Sequence, residues 1–242
     1  MLSGQEPTRT YGWQRTSGYW NPTRRERGAC PLSLLTYLGG SAELVTRNKD
    51  ALLIFTGGQT KSASTTTEAE SYLRLALSSN VFGASKSPGK KHHRATTENY
   101  ALDSYQNLLF SIARFREYTG NFPESITVVG YEFKRKRYVE LHRAAIRWPL
   151  RQFQYIGVDA EDEQSLTAQQ GELNNGYNPY SRDLYGCHSF LTSKRRLRNP
   201  HFRYHPYHSS NPELMVLFNW CPGNADSNSS AIFPGSLPWS NV

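Results

Sequence analysis

The stretch ALLIFTGGQT, residues 51 to 60, decides the fold of this chain. Its first five residues, Ala51 to Phe55, are apolar without a polar break, which is typical of a strand covered on both faces within a parallel sheet. Gly57 and Gly58 follow directly, and such glycines permit a tight turn as well as the close approach of a ligand to bare backbone. The stretch therefore predicts a buried strand that ends either in a ligand-binding turn or in a plain connection.

The segments on both sides of this strand alternate between helical and strand patterns. Two more apolar runs, ITVV at 126 to 129 and FQYIGVD at 153 to 159, predict further strands. Apolar residues at steps of three and four predict the intervening helices: 32–48, 65–77, 96–120 and 136–148. Strands that alternate with helices are the pattern of a mostly parallel sheet with right-handed crossovers. We therefore predict an α/β fold.

Differences in composition and hydrophobic periodicity divide the chain into four regions. Residues 1–31 are rich in Gly, Pro, Arg and Trp without periodicity, and we expect them to be disordered. The α/β domain is expected over 32–160. A C-terminal extension over 161–222, with a polar loop followed by helices, is expected to pack on this domain. The last part, 223–242, is expected to be a disordered tail.

Composition excludes several classes of protein. The 242 residues carry a formal net charge of +8, and SKRRLR at 193 to 198 is either a solvated basic face or a contact surface for a polyanion. Cys30, Cys187 and Cys221 are too few and too scattered for a disulfide framework. No apolar run approaches the length of about 20 residues that a membrane span needs, and the N-terminus lacks the apolar core of a secretion signal. We therefore expect a soluble cytoplasmic protein without a membrane span.

Glycines and cations follow the predicted strands, at the ends where open α/β sheets bind ligands. The candidate ligand-binding residues there are Gly57, Gly58, Gln59, Lys134, Arg135 and Arg137. We expect Gly57 and Gly58 to supply backbone N–H donors, and Lys134 with Arg135 or Arg137 to neutralise negative charge. Donors of these two kinds suit an anion or a nucleotide-like ligand. The alternative is that the glycines are ordinary turn residues.

Three polar residues at predicted helix starts extend this candidate site. Glu68, Glu98 and Asn107 are expected to face the same rim of the sheet, where a carboxylate accepts a hydrogen bond from a ribose hydroxyl or acts as a general base. The alternative for both glutamates is helix capping. Either role places these side chains in early helical turns.

The histidines do not form a recognisable metal motif. His201, His205 and His208 lie in HFRYHPYH, and Cys187 and His188 are adjacent, but these spacings match no established zinc pattern. Walker A, Gly-x-Ser-x-Gly and Gly-x-Gly-x-x-Gly motifs are also absent from the sequence. The sequence therefore predicts no metal site and names no catalytic residue.

Four segments together resemble the family called domain of unknown function 218, the YdcF/SanA-like group, in its fungal branch. They are ALLIFTGGQT, TEAESYLRLAL, ALDSYQNLLFSIARF and ITVVGYEFKRKRYVELH, and the resemblance covers about residues 40 to 160. It implies a Rossmann-like three-layer sandwich with a polar site at the strand ends, and S-adenosylmethionine or another nucleotide-like molecule as the ligand. Phe133 stands where bacterial members carry a histidine, and the first apolar strand of the family is not visible in residues 1–35.

These observations lead to one main hypothesis and two alternatives. We expect the protein to bind a small phosphate-bearing or nucleotide-like molecule at the strand ends, as an enzyme or as a binding protein, and we do not expect nucleic acid as its partner. The first alternative is a non-catalytic scaffold that contacts polyanions through its basic patches. The second is a truncated, non-functional gene product. No residue pattern specifies an oligomeric state.

Overall fold

The structure is a computed structural model, and it describes residues 12–16, 19–23, 32–82, 94–158, 164–223 and 231–240. Nine α-helices lie in these ranges. They are α1 Leu32–Arg47, α2 Glu68–Ser78, α3 Ser104–Thr119, α4 Arg143–Ala145, α5 Gln164–Glu172, α6 Asn178–Arg182, α7 Ser189–Leu197, α8 Tyr207–Ser210 and α9 Met215–Phe218. Two π-helical segments, Arg137–His142 and Leu173–Tyr177, lead into α4 and α6.

In the part of the chain that the structure describes, six strands form three separate two-stranded sheets. The strands are β1 Gly12–Thr16, β2 Tyr19–Thr23, β3 Leu53–Thr56, β4 Ala95–Glu98, β5 Ile126–Tyr131 and β6 Phe153–Val158. β1 and β2 are antiparallel, whereas β3 pairs with β4 and β5 with β6 in parallel. Within the described residues, no strand ladder joins these pairs. The structure therefore confirms a mixed α/β chain with parallel strands, and it places the antiparallel strands β1 and β2 in the segment 1–31 that was expected to be disordered.

The strand β3 packs against α1 and α2 in a small apolar cluster. Phe55 lies among Leu38 of α1 and Ala69, Leu75 and Ala76 of α2. Only Phe55 of this strand is buried, and the rest of β3 is half-exposed. The prediction that both faces are covered was therefore too strong, because β3 has a single hydrogen-bonded neighbour among the described residues.

The long helix predicted over 96–120 is wrong in its first third. Residues Ala95–Glu98 form β4 instead, and α3 begins at Ser104. Two β-branched threonines favour the strand, and Asp103 caps α3 by accepting a hydrogen bond from the Gln106 backbone N–H. The predicted helix end is confirmed, since Gly120 adopts a left-handed conformation with a φ of 81°.

A second, larger core joins α3 to the C-terminal half of the chain. It contains the apolar face of α3 together with Trp148, Tyr185, Leu214 and Trp239. The predicted loop after residue 160 instead contains α5 and α6. The prediction of a disordered tail is likewise wrong for residues 231–240, because Phe233, Leu237 and Trp239 are buried there.

Candidate functional site

The Gly57–Gly58 turn is closed by the protein itself. The Gly57 N–H donates to the Glu98 carbonyl at 3.0 Å, and the Gly58 N–H donates to the Ala101 carbonyl at 2.7 Å. Gly57 has a φ of 140°, and a Cβ atom on it would lie 2.9 Å from the Glu68 Cβ, so a larger residue would strain this turn. The two glycines thus permit tight packing but do not offer the free backbone donors that the sequence suggested.

The N-terminus of α2 is also fully satisfied by neighbouring groups. The Thr67 hydroxyl and the Glu70 carboxylate form a reciprocal capping box. The Glu68 and Ala69 N–H groups donate to the carbonyls of Gly58 and Gly57, both at 3.1 Å. Because these donors are used, this helix end is not an anion site of the kind that free N–H groups create.

Glu98 is a fully buried carboxylate at the end of β4. One of its oxygens accepts hydrogen bonds from the Tyr100 N–H at 2.8 Å and the Tyr207 hydroxyl at 3.0 Å. The other accepts from the Thr56 hydroxyl at 2.8 Å and the Ala101 N–H at 3.2 Å. Burial raises the pKa of Glu98, and the four hydrogen bonds oppose this effect. Neither expected role, the capping of a helix or a position on an exposed rim, describes this side chain, which instead connects β3, β4 and α8.

Asn107 connects the end of β3 to the π-helical segment. Its side-chain oxygen lies 3.3 Å from the Thr56 hydroxyl, and its side chain also hydrogen bonds to Tyr138. Gln59 is held at the rim, where its amide donates to the Ser64 carbonyl at 2.7 Å. Both predicted residues therefore lie at the strand ends, where they are held by protein contacts.

Arg135 does not join the predicted site. Its guanidinium donates to the Glu132 carboxylate and, at 2.7 Å, to the Tyr155 carbonyl of β6. The hydrogen bond to Glu132 raises the pKa of Arg135. The 3₁₀ turn Glu132–Lys134 that follows β5 directs this side chain toward β6, which the sequence pattern could not show.

Arg137 forms a buried ion pair with Glu172 of α5. The two side chains approach to 3.0 Å and are 11% and 8% exposed. The Arg137 Nε and the Glu172 Oε1 are buried without a hydrogen-bond partner. Burial raises the pKa of Glu172. The sequence missed Glu172 because it lies in a segment that was expected to be a loop.

Lys134 is a half-buried cation without an ion pair or hydrogen bond to any residue that the structure describes. Its ammonium group lies 5.4 and 5.9 Å from the ring centroids of Tyr131 and Phe133. Burial and the nearby Arg137 lower the pKa of Lys134, and Glu68 acts in the opposite direction. An ammonium group removed from water and placed beside a second cation favours an added anion.

Two cations of the C-terminal extension complete this region. Lys194 of α7 donates to the Asn175 carbonyl at 2.5 Å, and Arg198 donates to the Leu102 carbonyl at 3.1 Å. Burial, Arg198 and Arg137 all lower the pKa of Lys194. We call the following set the Lys134 cluster: Lys134, Arg137, Lys194 and Arg198 with the carboxylates Glu68 and Glu172. Its four cations and two carboxylates leave an excess of positive charge.

His142 and Ser104 lie close to this cluster and were not predicted. His142 is fully buried, and its Nε2 lies 2.8 Å from the Ser104 hydroxyl. Its Nδ1 has no hydrogen-bond partner. Burial and Arg137 lower the pKa of His142 well below its usual value, so the ring is neutral at neutral pH. No local pattern distinguishes this histidine from one on a helix surface, so only the tertiary structure reveals it.

A cavity of about 630 Å³ lies elsewhere, between α3 and α8. It is polar, but its cations are already paired. Arg114 bonds to Thr96 and Glu117, and Arg116 forms an ion pair with Glu213. The Lys134 cluster, rather than this cavity, therefore has charge available for a ligand.

Comparisons with known proteins identify one distant relative and no family. The uncharacterised protein YOR238W of Saccharomyces cerevisiae is 37% identical over 121 residues, which cover 46% of this chain and 40% of the yeast protein. The chain thus matches less than half the length of that relative. No family model matches it, and no solved structure does. Among the described residues, no helix is long and apolar enough to cross a membrane.

Proposed function

We propose that this protein binds a phosphate-bearing, nucleotide-like small molecule at the Lys134 cluster. The observation that carries the proposal is the Lys134 ammonium group, which is half-buried and has no ion-pair partner among the described residues. Arg137 and Arg198 add positive charge near Lys134, and Lys194 lies near both of these arginines. A phosphate group would supply the missing negative charge and accept hydrogen bonds from more than one of these side chains.

The residues of the cluster differ in what they would contribute. Lys134 would contact the anion directly, as a mobile point charge with three donors. Arg137, which is held by its ion pair with Glu172, would add positive charge beside the anion. Glu68 and Asn107 would orient polar groups such as ribose hydroxyls, while Gly57 and Gly58 would shape the wall of the site rather than donate to the ligand.

We also propose that the fold is a Rossmann-like three-layer sandwich of the YdcF/SanA-like domain of unknown function 218. The support is the two parallel strand pairs, each followed by a turn that contributes residues to one polar region. Because the resemblance to this family implies S-adenosylmethionine as a ligand, this molecule is included in the binding measurements. An experimental structure in which β3 and β5 belonged to unrelated sheets would contradict it. A cytoplasmic location stays a prediction, which microscopy of the tagged chain would test.

Thermal shift measurements on the full chain test the binding proposal. We expect phosphate or ATP to raise the melting temperature of the wild-type protein, and S-adenosylmethionine, which has a carboxylate but no phosphate, is measured beside them. Lys134→Gln should abolish the shift, whereas Lys49→Gln, which removes the same charge from an exposed turn, should retain it. A ligand shift that persists in Lys134→Gln would contradict the proposal.

A second candidate function is polyanion binding along α7. The basic residues of this helix are followed in the sequence by the aromatic side chains Phe202 and Tyr204, which are 91% and 74% exposed. Such a surface suits stacking on the bases of single-stranded nucleic acid. Affinity for an oligonucleotide should then fall steeply with salt and respond to Tyr204→Ala. If Lys134→Gln instead weakens the binding of a mononucleotide more than Tyr204→Ala does, the small-molecule site is favoured.

A further inference from the structure

The adjacent residues Cys187 and His188 lie beside Cys221, which follows His188 by 33 positions in the sequence. Their sulfur and imidazole nitrogen atoms all lie within 4.8 Å of one another. Cys187 and Cys221 form a disulfide with their Cα atoms 5.8 Å apart, and the His188 Nε2 lies 3.9 Å from the Cys221 sulfur. The sequence suggested neither this pairing nor a metal site, because the third residue lies 33 positions after His188 and matches no zinc spacing.

Contacts with Asp183 and with the Pro222 carbonyl fix the positions of Cys187 and His188. The Asp183 carboxylate accepts hydrogen bonds from the Cys187 and His188 N–H groups, at 3.0 and 2.9 Å. The His188 Nε2 lies 2.9 Å from the Pro222 carbonyl, which is next to Cys221 in the chain. The loop before α7 and the segment after α9 are therefore fixed against each other through the cluster itself.

We propose that Cys187, His188 and Cys221 bind a zinc ion when the two cysteines are reduced, and that the disulfide is the oxidised, metal-free form of the same site. Two thiolates and one imidazole are ligands that Zn²⁺ prefers. Zinc bonds of about 2.0–2.3 Å place tetrahedral ligand atoms about 3.3–3.8 Å apart, so a cluster within 4.8 Å needs only small side-chain movements. A water molecule would take the fourth position, since Cys221 is exposed.

The oxidised form is converted to the zinc-bound form in two steps, reduction of the disulfide and then binding of the metal. A dithiol reductant transfers two electrons and two protons to the disulfide, which gives two thiols while the reductant becomes a disulfide. Zinc then displaces both thiol protons and binds the two sulfurs. The His188 Nε2 exchanges the Pro222 carbonyl for the metal, with the ring proton on Nδ1. In a reducing compartment the cysteines are thiols, and the site is then available to the metal.

Cobalt titration of the full-length protein tests this proposal directly, because Co²⁺ reports thiolate ligands by its charge-transfer absorption. We expect no such band for the oxidised protein and one equivalent of bound cobalt after reduction, displaced by one equivalent of zinc. Cys187→Ser and Cys221→Ser should abolish the band, and His188→Gln should weaken zinc binding at least tenfold. Cys30→Ser and His201→Gln are the matched controls and should change neither.

The comparison of oxidised and reduced wild-type protein keeps the test valid if a cysteine variant fails to fold. The proposal is overturned if the reduced protein, folded by circular dichroism, gives no thiolate band. It is also overturned if His188→Gln binds zinc as tightly as the wild-type protein, or if Cys30→Ser removes the band.

Discussion

At the scale of single residues, Glu98 determines how the strand ends are held together. Each of its carboxylate oxygens accepts one backbone N–H, from Tyr100 and Ala101, together with one hydroxyl, from Tyr207 and Thr56. A hydroxyl can rotate and become an acceptor, whereas a backbone N–H cannot. Glu98 must therefore present an acceptor on both sides.

This geometry predicts a strong effect of Glu98→Gln. In either orientation the amide NH₂ group of glutamine would face a backbone N–H, which leaves buried donors unpaired. We expect the free energy of unfolding to fall by about 2–4 kcal/mol, measured by urea denaturation. Glu43→Gln, at an exposed position, should change it by less than about 0.5 kcal/mol, and an equally small change for Glu98→Gln would contradict this role.

His142 predicts how stability depends on pH. Its pKa is lowered well below 6.5 in the folded protein by burial and by Arg137, so between that pKa and 6.5 the unfolded chain binds more protons. Stability should therefore fall as the pH drops below about 6.5, by up to about 1.4 kcal/mol per pH unit.

Urea denaturation from pH 7 to pH 5 measures this slope, and His142→Gln should remove the contribution of His142. Burial lowers the pKa of His205 to about 4, but this residue is present in both proteins, so its contribution cancels in the comparison. The exposed His201→Gln variant should keep the wild-type slope. Equal slopes in wild type and His142→Gln would show that His142 titrates normally.

At the scale of elements, α3 is fixed in position by the residue that precedes it, the N-cap Asp103. Asp103 caps the helix through the Gln106 N–H and also forms an ion pair with Arg195 of α7. The ion pair lowers the pKa of Asp103 against the opposing effect of burial. One carboxylate thus sets the start of α3 and its contact with the extension that supplies Lys194 and Arg198.

Two substitutions at Asp103 separate these roles. Asp103→Asn keeps a capping side chain but leaves Arg195 buried beside a neutral group, and we expect a loss of about 3 kcal/mol of stability. Asp103→Ala should cost about 1 kcal/mol more, because the cap is lost too. Chemical denaturation of both variants measures the difference, and identical losses would argue against a separate capping role.

At the scale of the whole molecule, the C-terminal segment completes the larger core. The ring centroids of Trp239 and Trp148 lie 4.9 Å apart, and the Trp239 indole N–H donates to the Ile146 carbonyl at 2.8 Å. Arg147 donates to the carbonyls of Phe233 and Gly235. The segment therefore contributes both apolar burial and hydrogen bonds to the region after β5.

This packing predicts that Trp239→Ala destabilises the protein by about 3–5 kcal/mol. Differential scanning calorimetry would detect the effect as a lower melting temperature. Tyr204→Ala, which removes an exposed aromatic residue, is the control and should have little effect. A Trp239→Ala protein as stable as the wild type would contradict the assignment of this segment to the core.

The sequence predicted the elements whose signals are local. The apolar runs gave β3, β5 and β6, and the cap and glycine signals gave the start of α2 and the end of α3. It missed β4 because ATTE carries too few residues to compete with the helical periodicity that follows. It missed the buried tail because Trp239 is surrounded by glycine, proline and serine, and only the core around Trp148 explains its burial.

The positions of the candidate site residues were predicted in part for the same reason. Residues in the turns that follow a strand, such as Gly57 after β3 and Lys134 after β5, could be placed near the strand ends from the pattern. The direction of Arg135, the pairing of Arg137 with Glu172 and the burial of His142 depend on contacts between distant segments. The sequence therefore indicated which candidate residues lie near the strand ends, but not how their charges are paired.

The most direct test of the central proposal is isothermal titration calorimetry of the full chain with ATP at low ionic strength. We predict saturable binding by the wild-type protein, at least tenfold weaker binding by Lys134→Gln, equivalent to about 1.4 kcal/mol, and unchanged binding by Lys49→Gln. Equal affinities for ATP in the wild-type and Lys134→Gln proteins would contradict a ligand site at the Lys134 cluster.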